Sequence, residues 1–166
     1  MSTIKNEPIS KHTRRALYAL NQDATVADAA KMMKQNNVAS VLILSGDVAV
    51  GIVTHRDIID KIVAEGKNPS RIKLSAMMST PLITIGKDET VEKALELMEK
   101  NKIRRIIVVD ENNKPYGISV EMRICGDLLN RQIKTNMPEA KSWLDQHIME
   151  ITESELKSHS DIVDIT

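Results

Sequence analysis

The chain has 166 residues, 42% hydrophobic and 28% charged, with no Phe, one Trp and two Tyr. That is enough for one ordinary domain or two small ones packed together, with a soluble globular composition and an aliphatic, methionine-filled core. Lysine plus arginine equals aspartate plus glutamate at 23 each, which excludes an overall pull toward nucleic acid or membrane, and the scarcity of aromatics leaves few stacking platforms for single strands. The single cysteine, Cys125, excludes an intrachain disulfide and a Cys-based zinc site; it is expected as a small buried residue on a helix. The polar start from Met1 to Asn6 has no signal-peptide core, and no apolar run reaches the length of a membrane span, so the expected location is cytoplasmic, with no membrane partner.

Residues 1–12 are polar, contain Pro8, and are expected to form a lead-in that docks only partly. Ala16 to Leu20 is a short apolar run, followed by turn chemistry at Asn21-Gln22-Asp23. Thr25 opens a helix whose Val26, Ala29, Ala30 and Met33 share one face, with Asp28 completing a capping box. Val38 to Leu44 predicts a buried strand, Ser45-Gly46-Asp47 a hairpin turn, and Val48 to Val53 the next strand. A helix over about 55–65 turns Ile58, Ile59, Ile62 and Val63 inward, and Gly66 can stop it before a linker at residues 68–75.

The order then repeats. Pro81 to Ile85 is extended, Gly86-Lys87-Asp88 is a turn, and Thr90 opens a helix with Val91, Ala94, Leu95 and Met98 on one face. Ile103 to Val109 and Tyr116 to Val120 are strands, and a helix runs from Glu121 to about Thr135. Thr25, Val26, Ala29, Met33 and Asn36 recur 65 residues later as Thr90, Val91, Ala94, Met98 and Asn101. After one extra residue in the second turn, Gly51-Ile52 recurs as Gly117-Ile118. This is an internal β-α-β-β-α repeat, and each half is too small for a comfortable core of its own. The expected fold is therefore α/β (α+β): two such units related by a pseudo-twofold axis, sheets packed together, with paired clefts between the halves. Residues 136–166 are expected to carry one helix around Trp143, Leu144, Ile148 and Ile151 and an acidic tail.

The stretch Gly51-Ile52-Val53-Thr54-His55-Arg56-Asp57 turns a strand directly into a helix. A helix start offers unpaired N–H groups suited to phosphate, a carboxylate can accept two hydrogen bonds from a ribose diol, and a threonine hydroxyl can reach a phosphate. The same Thr-x-x-Asp spacing is equally that of a capping box. His55 can reach a phosphate or be a lone exposed turn histidine, and His12, His147 and His159 show no metal-ligand spacing. In the second copy Val120 replaces Thr54 and Arg123 replaces Asp57. Arginine cannot accept hydrogen bonds from a diol, so Arg123 meets a phosphate or forms a surface pair.

These features together resemble the CBS (cystathionine β-synthase) domain. They are the entry segment Met77-Met78-Ser79-Thr80-Pro81-Leu82-Ile83-Thr84-Ile85, the Thr-Val helix start in both halves, the strand Ile103 to Asp110, and Gly51 to Ile58. The chain looks like a stand-alone CBS-domain pair, with repeats at residues 13–67 and 76–135. The resemblance implies a non-catalytic regulatory module that binds AMP, ADP or ATP, or S-adenosylmethionine, between the halves. It further implies a homodimer and an effector on a separate chain. It pairs Thr54, Asp57, His55 and Ile52 with Ile83, Thr84, Ile103, Arg104 and Arg105 as the ligand cleft, the arginines neutralising phosphates. A degenerate second cleft would hold Val120, Arg123, Tyr18, Ala39 and Ser40, so one competent site per chain is expected.

Two other classes stand against this reading. A structural or partner-binding module would keep only a vestigial site and use the tail. A nucleic-acid binder would use Lys11, Arg14, Arg15 and the cleft arginines, against which zero net charge and few aromatics argue. An enzyme is disfavoured: no nucleophile–base pair, metal set or glycine-rich phosphate loop is legible.

Overall fold

The computed structural model describes residues 4–136, with side chains to Arg131. It divides into a unit ending at Met122 and a second beginning at Arg123. The first unit holds two three-stranded sheets. One is β1 (Ala19–Asn21), β2 (Ser40–Ser45) and β3 (Val48–Thr54), in that order. The other is β4 (Thr84–Gly86), β5 (Arg105–Val109) and β6 (Pro115–Val120). In each, the short first strand runs parallel to the second and the hairpin is antiparallel. Helix α1 (Val26–Asn36) crosses between the first two strands of one sheet, and α3 (Val91–Lys100) does the same in the other.

The local signals act as their chemistry requires. Thr25 and Asp28 form a reciprocal capping box, and Thr90 caps α3 through the Lys93 amide. The predicted apolar faces are the buried ones: Val26, Ala29 and Met33 on α1, and Val91, Ala94 and Met98 on α3. Gly46 takes a φ of +59° in the β2–β3 turn, a conformation that costs glycine little. The sheets meet through Leu42 of β2 and Ile107 and Val109 of β5, ringed by Leu17, Leu44, Ile52, Leu82 and Ile118. The expected sheet-on-sheet packing is therefore present. A second cluster fills the space between the first sheet and its helices, with Val41, Ile43, Val53, Ile62 and Leu74 at its centre.

The lead-in docks more fully than expected. Ile4, Ile9 and His12 are buried. The backbone of residues 7–10 bonds to the other half: Ile9 N–H donates to the Glu89 carbonyl at 2.7 Å, Ser10 N–H to Lys87 at 3.1 Å, and Val91 N–H to Glu7 at 2.9 Å. Residues 72–75 do the same on the first half, where Leu74 N–H donates to Ala24 at 2.9 Å and Val26 N–H to Ile72 at 3.0 Å. Ile9 and Leu74, 65 residues apart, are both fully buried. Each repeat thus begins on its neighbour.

The exchange continues into the sheets. Ser79 bridges Ile52 at the edge of β3, and Arg14 bridges Ile118 at the edge of β6. A side chain on Gly51 would strike the Ser79 carbonyl and the Met78 sulfur at 2.9 and 2.8 Å, and one on Gly117 would strike the Arg14 carbonyl at 2.6 Å and the Thr13 methyl. The two repeated glycines are where an extended crossing segment passes close to the sheet.

Helix α2 (His55–Ile58) is a single α-turn that continues as a π-turn over Ile59–Val63. Of the four isoleucine and valine positions expected to face inward, Ile62 is buried and Ile58 half-buried, but Ile59 and Val63 are exposed at 53% and 66%. The wider π-turn offsets the i, i+4 spacing that placed them inside. Helix α4 (Glu121–Asn136) buries Ile124, and Cys125 beside it is exposed rather than buried. The expected helix around Trp143 and the acidic tail lie outside the described residues.

Candidate ligand cleft

A cleft of about 430 Å³ opens where β3 ends, lined by Ile52, Thr54, Arg56, Asp57, Ser79, Lys102, Ile103, Arg104 and Arg105. That size suits a nucleotide-sized ligand. Three chain segments build it. β3 and α2 supply Ile52 to Asp57, the crossing segment supplies Ser79, and the turn from α3 with the first residue of β5 supplies Lys102 to Arg105.

Asp57 is held tightly in this wall. Its Oδ2 accepts from the Thr54 amide at 2.9 Å and the Thr54 hydroxyl at 2.6 Å, while its own N–H donates to Thr54 Oγ1 at 3.2 Å. The capping box is therefore formed, and the two readings of Thr-x-x-Asp are not exclusive. Lys61, one turn on, places Nζ 2.8 Å from Asp57 Oδ1 and also donates to the Met77 carbonyl at 2.9 Å. A carboxylate offers about four lone-pair directions, so the free protein leaves Oδ1 with capacity for one more donor. Burial raises the Asp57 pKa, but hydrogen bonds from Lys61 and Thr54 outweigh it and hold the carboxyl below its ordinary value.

The opposite wall is cationic. Arg105 is half-buried and Arg104 exposed. Burial pulls the Arg105 guanidinium below its ordinary value, the neighbouring Arg104 charge adds to this, and Asp57 opposes it. Among the described residues, neither arginine has a carboxylate within salt-bridge distance.

The expected residues divide. Ile52, Thr54, Asp57, Ile103, Arg104 and Arg105 come together in the cleft. His55 does not line it; its amide and its Nδ1 both lie against the Ala39 carbonyl, at 3.1 and 3.3 Å. Ile83 and Thr84 are drawn into the sheet: Ile83 accepts from the Ile107 amide and Thr84 pairs with Ile107 in β4–β5. Three lining residues were not assigned to the cleft from the sequence: Arg56, Ser79 and Lys102. The signal for Lys102 was its place 65 residues after Asn37. Both take positive φ, +54° and +49°, in the turns that follow their helices.

Of the residues assigned to the second cleft, Ser40 pairs with Thr54 and Val120 with Arg105, the same register in each hairpin. Tyr18 packs against the first core and its carbonyl accepts from Leu42 at 2.8 Å. Arg123 lies exposed on α4 at the start of the second unit.

The CBS domain family matches residues 9–64 and 74–118, more than half of the chain and in two copies. The chain belongs to the CBS-domain family. Its two matches begin at Ile9 and Leu74, the paired buried anchors. An uncharacterised protein of Methanopyrus kandleri is 34% identical over 69% of this chain, which spans 59% of that protein's length. The CBS domain-containing protein YhcV of Bacillus subtilis is 34% identical over 68% of this chain and 76% of its own length. Among solved structures, the CBS domain pair of protein MJ0100, in complex with 5′-methylthioadenosine and S-adenosyl-L-methionine, superimposes with a TM-score of 0.66 at 23% identity, covering 75% of this chain and 97% of that one. Among the described residues, no helix is long and apolar enough to cross a membrane.

Proposed function

We propose that the chain is a regulatory CBS-domain pair that binds an adenosine nucleotide or related adenosyl compound in the cleft at Thr54 and Asp57, and passes occupancy to a dimer partner or a separate effector. The observation that carries this is the juxtaposition, in one cleft, of an ionised hydrogen-bonded carboxylate and a pair of arginines without carboxylate partners. The carboxylate suits a ribose hydroxyl and the guanidinium groups suit phosphate. Ile52 and Ile103 supply apolar surface for a base. The complex of the MJ0100 pair with two adenosyl compounds supports the ligand class. Exposed Ile59 and Val63 on the π-turn next to Asp57 support self-association near the cleft.

One site per chain is favoured over two. Val120 lacks the hydroxyl that orients the acid, and Arg123 lacks the acceptor. A thermal-shift series with AMP, ADP, ATP and S-adenosylmethionine on wild type and Asp57→Ala tests the reading. Stabilisation of wild type alone is expected. Stabilisation by none of them would favour a structural module with a vestigial site.

A further inference from the structure

Arg56 and Lys102 join Arg104 and Arg105 in the cleft lining, setting four cationic side chains against the single carboxylate of Asp57. The charge is not a property of the fold. In the other repeat the counterparts of Lys102, Arg104, Arg105 and Arg56 are Asn37, Ala39, Ser40 and Met122, none of them charged.

Lys102 is the most informative of these. Its backbone sits in the left-handed region at φ +54°, where asparagine is tolerated better than a long side chain. Asn37 fills the equivalent place in the first repeat at φ +49°. Lysine at Lys102 is thus the locally less suitable residue, and its side chain lines the cleft with no carboxylate among the described residues within salt-bridge distance. Arg56 contacts Asp60 at 3.4 Å, and both side chains are well exposed, so that pair holds it weakly. Lys102 can turn toward an anion directly, and Arg56 can do so by leaving its weak, exposed contact to Asp60.

We propose that this cleft selects a ligand carrying two or more phosphates, a nucleoside di- or triphosphate, over a monophosphate or an uncharged or cationic adenosyl compound, with Lys102 and Arg56 meeting the outer phosphates. The inference rests on the adenosine reading above for the rest of the ligand. A single phosphate can satisfy the adjacent pair Arg104 and Arg105 but leaves the other two cations facing each other's field. A di- or triphosphate compensates all four. A sulfonium such as that of S-adenosylmethionine adds another positive charge.

Titration calorimetry of the full chain with AMP, ADP, ATP, S-adenosylmethionine and inorganic tripolyphosphate tests this, using wild type, Lys102→Asn and Arg56→Met. Each variant carries the residue of the other repeat, and Lys102→Asn eases the backbone. Affinity should rise roughly tenfold with each added phosphate, as for a charge-assisted hydrogen bond gained. Lys102→Asn should weaken ATP by about tenfold while leaving AMP unchanged. ATP binding no tighter than AMP or S-adenosylmethionine, or an equal loss for AMP and ATP in Lys102→Asn, would overturn the inference and leave the adenosine reading standing. Tripolyphosphate binding without any nucleotide binding would uphold the polyphosphate preference and sink the adenosine reading. Binding of neither would overturn both.

Discussion

Lys61 reaches back one turn to Asp57, Nζ to Oδ1 at 2.8 Å, and with the same nitrogen holds the Met77 carbonyl at 2.9 Å. One ammonium thus ties the cleft carboxylate to the start of the segment that crosses from the second repeat. A ligand hydroxyl that takes Oδ1 must share it with Lys61 or displace it. Either way the π-turn bearing Lys61, and with it exposed Ile59 and Val63, is the element positioned to sense occupancy.

Removing that ammonium separates structure from binding. Lys61→Met should destabilise the free protein by about 1 kcal/mol, the scale of a partly exposed ion pair plus one hydrogen bond. It should not abolish ligand binding, since the acceptor oxygen remains. Urea denaturation together with a thermal-shift assay checks both. Loss of binding in this variant would make Lys61 a ligand contact rather than a competitor.

Asp57 also gives the stability a pH dependence of known sign. Its carboxyl is held below its ordinary value of 3.8 in the folded protein. A depressed folded pKa contributes stability that is fully present above 3.8 and is lost as the pH falls below it through the folded value. Comparing urea midpoints of wild type and Asp57→Asn between neutral pH and pH 3 should show the difference shrinking toward the acid end. A constant difference would mean that the folded protein does not favour the ionised acid.

The glycines at the strand crossings should be intolerant of any side chain. Gly51→Ala and Gly117→Ala should each cost about 1–3 kcal/mol, as overpacking does. Gly117→Ala should be the worse, because the Arg14 carbonyl stands 2.6 Å from the new carbon, whereas at Gly51 the Ser79 carbonyl is 2.9 Å away and the Met78 sulfur can swing aside. Chemical denaturation of the two variants orders them; equal or negligible losses would contradict the close approach.

The exchanged starts predict that the lead-in matters to the distant repeat. Ile9→Ala should destabilise by about 2–5 kcal/mol, the usual range for a fully buried isoleucine. Amide exchange should then rise at Ile9's neighbours Lys87 to Val91 more than in the first repeat. Protection lost only within the first repeat would contradict the exchange.

The elements that repeat were legible because local chemistry fixes them: Thr25 and Thr90 cap their helices, and Val26, Ala29, Val91 and Ala94 mark the buried faces. The core of the cleft was legible for the same reason, since Thr54 and Asp57 sit at a recognisable strand-to-helix turn and recur in altered form as Val120 and Arg123. What was hidden depends on tertiary geometry. His55 was open between a phosphate contact and an exposed turn histidine; it is exposed and set against the Ala39 carbonyl, which no local pattern specifies. Thr84 was expected in the cleft, but it lies in β4 beside Ile107 and is not among the residues that line the cleft. The docking of residues 4–12 has no periodicity to announce it, because its hydrogen bonds go to the other repeat. The exposure of Ile59 and Val63 follows from a π-turn that no apolar pattern specifies.

The proposed function turns on one intact cleft, marked by Asp57 and faced by Arg105, holding an adenosine nucleotide. Titration calorimetry of ATP into the full chain, wild type and Asp57→Ala side by side, tests it most directly. One site per chain in wild type and no measurable heat in Asp57→Ala are expected. Two equivalent sites per chain, no binding to wild type, or undiminished binding in Asp57→Ala would contradict it.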